Sequence, residues 1–223
     1  MVISEVISPC QKVHQTCGHS CFGVHHEKRC LPCLEPACAV VSDSEGVAVV
    51  STKKDMCTIC FTEELGEAPC IQLPDCRHTF HANCVKKLLE HKWSGLRISF
   101  KFLACPTCKT AFSSNHLSNW PQLQLLLDKI MKFRAKIQQM TQKAIAKGMV
   151  QASEEGVADA NTMEDKCAFY ECFECKNPFF GGLADCERDL NMEESVRKED
   201  LVCRKCALKR FGAGQFNCNK HGH

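Results

Sequence analysis

At 223 residues and a net charge of only +2, the chain allows one or two domains and signals no polyanionic partner, and its 20 cysteines and 10 histidines dominate the composition. Cysteine at about 9% of a chain is scaffold chemistry, and small modules with so few aromatics (7%) bury too little apolar area to fold unaided. No segment is apolar for long enough to cross a membrane, and Met1 to Cys10 has neither the basic start nor the apolar run of a signal peptide, so a cytoplasmic chain is expected, with the nucleus as the alternative.

Reduced thiols in such a compartment, set largely as Cys-x-x-Cys pairs among histidines, predict zinc rather than disulfides. The cysteines fall into three groups, and the predicted order of parts is a Cys/His zinc-binding segment (1–40), a linker (41–55), a zinc finger (56–112), a helical linker (113–165) and a second zinc domain (166–223). The fold class expected is a set of small zinc-stabilised α+β modules. In the first group the run from Cys10 to Cys38 holds enough donors for two zinc ions. The expected ligands are Cys17, His19, Cys21, Cys30, Cys33 and Cys38, with Cys17-Gly18-His19-Ser20-Cys21 and Cys30-Leu31-Pro32-Cys33 as the natural pairs.

The central group carries the strongest signal. Its donors read Cys57-x-x-Cys60, Cys76-x-His78, His81-x-x-Cys84 and Cys105-x-x-Cys108, eight ligands in four pairs, enough for two tetrahedral ions. This order resembles the RING finger of the His-His type. The resemblance implies interleaved pairs, Cys57, Cys60, His81 and Cys84 on one ion and Cys76, His78, Cys105 and Cys108 on the other, giving a cross-braced platform whose folding energy comes from the metal. It also implies that loops of the platform dock a ubiquitin-conjugating enzyme through Ile59, Pro106 and Trp93. Many RINGs follow the last ligand with an arginine that clamps ubiquitin; this chain has Lys109, which lacks the planar fork. Cys70 falls outside the ligand order and is expected as a small buried hydrophobe.

Beyond the finger, Leu123, Leu126, Leu127, Ile130, Phe133, Ile137, Met140 and Ala144 are spaced as one face of a helix. Pro121 suits its first turn, Asn119 is the expected cap, and Gly148 the expected end. Lys129, Lys132, Arg134, Lys136, Lys143 and Lys147 read as a solvated face, and nucleic-acid binding is not expected.

Two longer stretches narrow the match. Met56-Cys57-Thr58-Ile59-Cys60-Phe61-Thr62-Glu63 and Trp93 through Phe102, followed by Cys172-Phe173-Glu174-Cys175, Phe179-Phe180-Gly181-Gly182, Cys186, Cys203-x-x-Cys206 and Cys218-Asn219-Lys220-His221-Gly222, resemble the Pam/Highwire family of RING-Cys-relay ubiquitin ligases, with the first half of its tandem-cysteine domain. In that family ubiquitin passes from the conjugating enzyme through two cysteines to a hydroxyl, and Cys186 matches the first of them. Cys172, Cys175, Cys203 and Cys206 complete one four-cysteine zinc site, which leaves Cys186 without a metal role in a loop entered through Gly181-Gly182 and expected to be exposed and mobile. Cys218 and His221 form a half-site that needs two further ligands, Cys167 or His223 being candidates within the chain. Nothing here matches the second relay cysteine, so the chain reads as a fragment or as a shortened relative. The expected function is that of a RING-type ubiquitin-protein ligase; the alternative is a non-catalytic zinc-finger adaptor.

Overall fold

The computed structural model describes residues 7–38, 51–148, 167–183 and 196–211. They form two compact units, neither a continuous stretch: residues 1–92 with 101–131, and residues 93–100 with 132–223. Residues 93–100 lie inside the span expected for the finger yet belong to the second unit. Helix α2 (Pro121–Ala146) supplies its first half to one unit and its second half to the other.

In the first unit regular structure is sparse, as expected where metal sites rather than long ladders set the backbone. Strand β1 (Cys70–Gln72) pairs antiparallel with β2 (Thr79–His81), Ile71 facing Phe80, and β2 runs directly into helix α1 (Ala82–His91). Ala82, Val85 and Leu89, at the i, i+3, i+7 spacing, form the buried face of α1. Leu65, Ile71, Leu73, Phe80, Leu103, Phe112, Leu117 and Leu127 are likewise buried. Among its described residues the N-terminal segment has no strand longer than the isolated bridges Pro9–Val24 and Val13–Ser20, but Ile7, Leu31 and Leu34 are buried. It is tied to the finger and to the stretch just before it. Cys70 donates its N–H to Phe22 O at 2.7 Å, Lys53 N–H donates to Leu34 O at 2.7 Å, and the Lys53 ammonium pairs with Glu35 at 2.7 Å.

Asn119 does not cap α2. Its amide instead clamps the Arg29 backbone, Oδ1 accepting from Arg29 N–H at 2.7 Å and Nδ2 donating to Arg29 O at 2.9 Å. A cap satisfies only the helix, whereas this clamp satisfies the backbone donor and acceptor of Arg29. Pro121 opens the helix as expected. Beyond its other end Gly148 takes a φ of +67°, with its N–H on Ile145 O at 2.8 Å.

In the second unit β3 (Cys167–Glu171) and β4 (Pro178–Leu183) form a hairpin, Phe169 opposite Phe180 and Tyr170 opposite Phe179. Ile98, Ile137, Ala144, Cys167 and Phe169 make its core, with Trp93, Phe100, Phe133, Met140, Ile145 and Phe180 packed against them. The Arg134 guanidinium lies over the Phe100 ring at 5.3 Å, and the Lys136 ammonium donates to Asn177 Oδ1 at 3.1 Å. Two members of the basic face are thus engaged within the unit. Gly181 and Gly182 lie in β4, opposite the register shift between Ala168 and Phe169 of β3. A side chain at Gly181 would collide with the Tyr170 ring, so glycine is required there by close packing. Helix α3 (Arg204–Phe211) closes the described part of the unit. The architecture is that of small zinc-stabilised α+β modules.

Candidate metal centres

Among the described residues, one backbone device recurs at His14–Gly18, Cys57–Phe61, Leu73–Arg77, Cys105–Lys109 and Cys172–Lys176. In each, the N–H of the fifth residue bonds the carbonyl of the first, at 2.8 Å in the first turn and 2.9 Å in the other four. The fifth residue is left-handed: Gly18 at φ +75°, Phe61 at +56°, Arg77 at +57°, Lys109 at +64° and Lys176 at +56°. Four of these are not glycine, a conformation that costs roughly 1–2 kcal/mol per residue and needs something to hold it. The fourth residue of every turn is a cysteine: Cys17, Cys60, Cys76, Cys108 and Cys175.

The turn aims backbone N–H groups at the sulfur. The N–H of Thr62 holds the Cys60 thiol down to about 6, the Asn177 N–H holds Cys175 down to about 6, and the His19 N–H holds Cys17 down to about 7. For Cys108 the Thr110 hydroxyl, 3.0 Å from the sulfur, is the largest cause, and the thiol again falls to about 6. These groups are poised as thiolates, the ligand form. The turn cysteine Cys76 is the exception: burial outweighs the His78 N–H and pushes it up to about 12, as burial does for Cys84, which lies outside the turns. Without a cation, thiols this crowded resist ionising.

Four groups of donors meet with side-chain atoms within 4.8 Å of one another: Cys57, Cys60, His81 and Cys84; Cys76, His78, Cys105 and Cys108; Cys172, Cys175, Cys203 and Cys206; and Cys17, His19, Cys33 and Cys38. Zn–S bonds of about 2.3 Å at the tetrahedral angle put sulfurs about 3.8 Å apart, and a sulfur and an imidazole nitrogen about 3.5 Å apart. The Cys175 and Cys203 sulfurs are 3.8 Å apart, Cys105 Sγ lies 3.6 Å from His78 Nδ1, and Cys60 and Cys84 lie 3.7 and 3.8 Å from His81 Nδ1. His19 Nδ1 sits 3.3 Å from Cys38 and 3.7 Å from Cys33. Every cysteine among the described residues is a free thiol, so no disulfide competes. His81 turns its other nitrogen, Nε2, to the Glu64 carbonyl at 2.9 Å, which fixes the ring with Nδ1 toward the sulfurs, the usual outer support of a metal histidine. Donor types and spacings fit Zn2+.

The first two groups interleave along the chain. The pairing expected at the N-terminus is not what forms: Cys30 and Cys33 part, Cys33 joining Cys17 and His19 while Cys30 and Cys21 face Cys10 and Glu27. The reason is reach. Each natural pair is drawn to a different partner, because the hydrogen bonds of Cys10 N–H to Gly23 O and Cys21 N–H to Lys12 O bring the chain's start alongside Cys21.

The loops between ligands also come together. Thr58, inside the first pair, and Thr107, inside the last, share a hydroxyl hydrogen bond of 3.1 Å, so the loops carrying the half-buried Ile59 and Pro106 lie side by side. The Lys109 ammonium folds back to donate to Pro106 O at 2.7 Å. Trp93 is half-buried in the second unit, stacked on Phe133 with centroids 5.7 Å apart and edge-on to Phe100 at 6.4 Å. Cys70 donates its thiol to Leu65 O at 3.1 Å, and burial holds it well above the ordinary thiol value. Cys167 is packed in the apolar core of the second unit. Cys186, Cys218, His221 and His223 lie outside the described residues.

Comparison with known proteins gives the same outline. Residues 55–109 match the Ring finger domain family. The E3 ubiquitin-protein ligase MYCBP2 of Danio rerio is 36% identical over 96% of this chain, and the E3 ubiquitin-protein ligase highwire of Drosophila melanogaster 35% identical over 92%. The chain spans 4% of the length of each of these two relatives. The RING-H2 finger protein ATL79 of Arabidopsis thaliana is 41% identical over 27% of this chain and 30% of its own.

Proposed function

The chain belongs to the Pam/Highwire family, and from that membership we propose that it acts as a RING-type ubiquitin-protein ligase whose residues 56–112 recruit a ubiquitin-charged conjugating enzyme. The observation that carries the reading is the interleaving of two four-donor groups that sets the Ile59 and Pro106 loops side by side, clasped by Thr58 and Thr107. Zinc bound at Cys57, Cys60, His81 and Cys84, and at Cys76, His78, Cys105 and Cys108, supplies structural cross-links. The protein's own contribution is position. A rigid pair of loops offers a conjugating enzyme one docking geometry, and holding its thioester where an amine can attack converts a rare encounter into a frequent one. No nucleophile from this unit is required for direct transfer.

A transfer through Cys186 deepens the proposal. Its thiolate would attack the thioester carbonyl, forming a new thioester at Cys186 while the conjugating enzyme's sulfur leaves and takes up a proton. Support comes from the position of Cys186 in the sequence, between the Cys172–Cys175 and Cys203–Cys206 pairs, whose four thiols already make up a full tetrahedral donor set. Along the chain the proposed organisation places zinc-binding segments at 1–40 and 166–223 before and after the finger and its helical linker.

The test is discharge of ubiquitin from a panel of charged conjugating enzymes by the full chain. Wild type is expected to accelerate discharge, Ile59→Ala to slow it about 10-fold or more as a docking anchor should, and Cys186→Ala to remove only a thioester-linked ubiquitin adduct on this chain. Discharge no faster than with Cys57→Ala across the panel would refute the ligase reading. The adaptor reading has one observation in its favour, the Lys109 ammonium being engaged by the Pro106 carbonyl rather than offered outward; it predicts capture of a conjugating enzyme with no discharge.

A further inference from the structure

A further set of donors converges in the N-terminal segment. The Cys10, Cys21 and Cys30 sulfurs and the Glu27 carboxylate all lie within 4.8 Å of one another. Two of the four come from backbone locked in place: Cys10 N–H bonds Gly23 O at 2.9 Å and Cys21 N–H bonds Lys12 O at 2.9 Å, while the Cys21 sulfur accepts the Gly23 N–H at 3.3 Å.

Glu27 is the telling residue, because it is only 6% exposed. A buried carboxylate must be matched. Oε1 accepts from Leu31 N–H at 3.1 Å, and Oε2 accepts from the Trp120 indole at 3.3 Å and Val24 N–H at 3.4 Å. A carboxylate offers about four lone-pair sites, so three N–H donors leave one. What that site meets is sulfur: Cys21 Sγ lies 3.6 Å from Oε1. A tetrahedral ion with Zn–S of about 2.3 Å and Zn–O of about 2.1 Å separates a sulfur from an oxygen ligand by about 3.6 Å. The chain also keeps the carboxylate's place open, since a Cβ at Gly23 would collide with it.

We propose that Cys10, Cys21, Cys30 and Glu27 bind a zinc ion as a three-thiolate, one-carboxylate site. Glu27 then has two duties, ligating the ion and holding the Trp120 indole, so that the ion braces the N-terminal segment against the stretch that leads into α2. The site differs from the other groups in its oxygen ligand, and the carboxylate is held in place by backbone N–H groups and by an indole 93 residues away.

The competing account is that Glu27 is a hydrogen-bonding clamp and the three thiols bind nothing. Substitutions at Glu27 separate the two, because a clamp is best replaced by glutamine and a ligand by cysteine. Zinc per full-length chain is counted by elemental analysis, and its release to a chromophoric chelator is timed. Cys21→Ser is expected to lose one equivalent and keep the rest. Glu27→Gln is expected to release one equivalent at least about 10-fold faster than wild type, the usual cost of a weakened metal contact, and Glu27→Cys to keep the full count with slow release. An unchanged count in Cys21→Ser, or a Glu27→Gln that holds its zinc as well as wild type and better than Glu27→Cys, overturns the site. Should Cys21→Ser lose several equivalents by unfolding, the order of the two Glu27 variants decides.

Discussion

Replacing Trp93 by alanine separates two roles that a sequence cannot distinguish. Its ring stacks on Phe133 with centroids 5.7 Å apart and planes 19° from parallel, meets Phe100 edge-on, and borders the core of Ile98, Ile137 and Phe169. Full truncation of a buried Phe or Trp costs about 3–5 kcal/mol. Trp93 is half-buried, so about half of that, with the aromatic pair adding about 0.5–1.5 kcal/mol, gives about 2–4 kcal/mol. At about 2–4 °C per kcal/mol for a chain of this size, the midpoint should fall by about 4–16 °C. Trp93→Phe, which keeps a stacking ring, should recover most of the loss. Thermal unfolding followed by circular dichroism measures the shift, and conjugating-enzyme affinity is read at a temperature where every variant is folded. A Trp93→Ala variant with an unshifted midpoint and a large loss of affinity would refute the packing argument and make Trp93 a docking residue.

Three further outcomes are expected. Thr110→Val keeps all four ligands of its group but strips the hydroxyl from Cys108, whose thiol sits at about 6 against an ordinary 9.0. A depressed pKa contributes stability that is present above the ordinary value and lost as pH falls through the lowered one, so the variant should release zinc to a chelator at a higher pH than wild type; an unchanged pH midpoint contradicts it. Gly181→Val must displace the Tyr170 ring, and the overpacked hairpin should lose about 1–3 kcal/mol and bind zinc more weakly at Cys172, Cys175, Cys203 and Cys206; equal stability in denaturant would show that the ring yields freely. Lys109→Arg should raise ubiquitin discharge roughly 10-fold, the order of one charge-assisted hydrogen bond, and no gain would mean that the left-handed backbone at that position keeps either side chain from reaching ubiquitin.

What could be read from the sequence follows the range of the forces involved. The Cys57–Cys108 ligand order was legible because coordination demands particular atoms at short, fixed spacings, and the helix at 121–146 because its apolar stripe repeats over about six turns. The α2 cap failed because an asparagine before a helix suits both a cap and a clamp, and only the position of Arg29, 90 residues away, decides between them. In the sequence Gly181 reads only as leading into the Cys186 loop; the structure also uses its lack of a side chain within β4, under a ring that no local pattern announces. The split of Cys30 from Cys33 and the approach of Glu27 escaped for a related cause. A search by Cys/His pairs assumes that neighbours share an ion and that carboxylates do not join, and both assumptions fail where chain reversal brings Cys10 beside Cys21.

The recurring turn links these modules energetically. Each spends a left-handed residue, four times a non-glycine one, to point amides at a single sulfur. In four of the five turns that sulfur is ready to ionise near neutral pH, while burial holds the fifth, Cys76, and the non-turn ligand Cys84 well above it. An arriving cation therefore finds one anchor already charged, and its own field then lowers the remaining thiols, so binding the ion, releasing their protons and fixing the strained turn become one event. The docking loops inherit this coupling, because Thr58 and Thr107 stand within the first and last of the finger's turns. Their alignment, and with it any grip on a conjugating enzyme, should be lost together with zinc in a single step as pH falls or chelator rises. A finger that lost its conjugating-enzyme affinity gradually, ahead of its metal, would show that the loops hold their shape by packing alone.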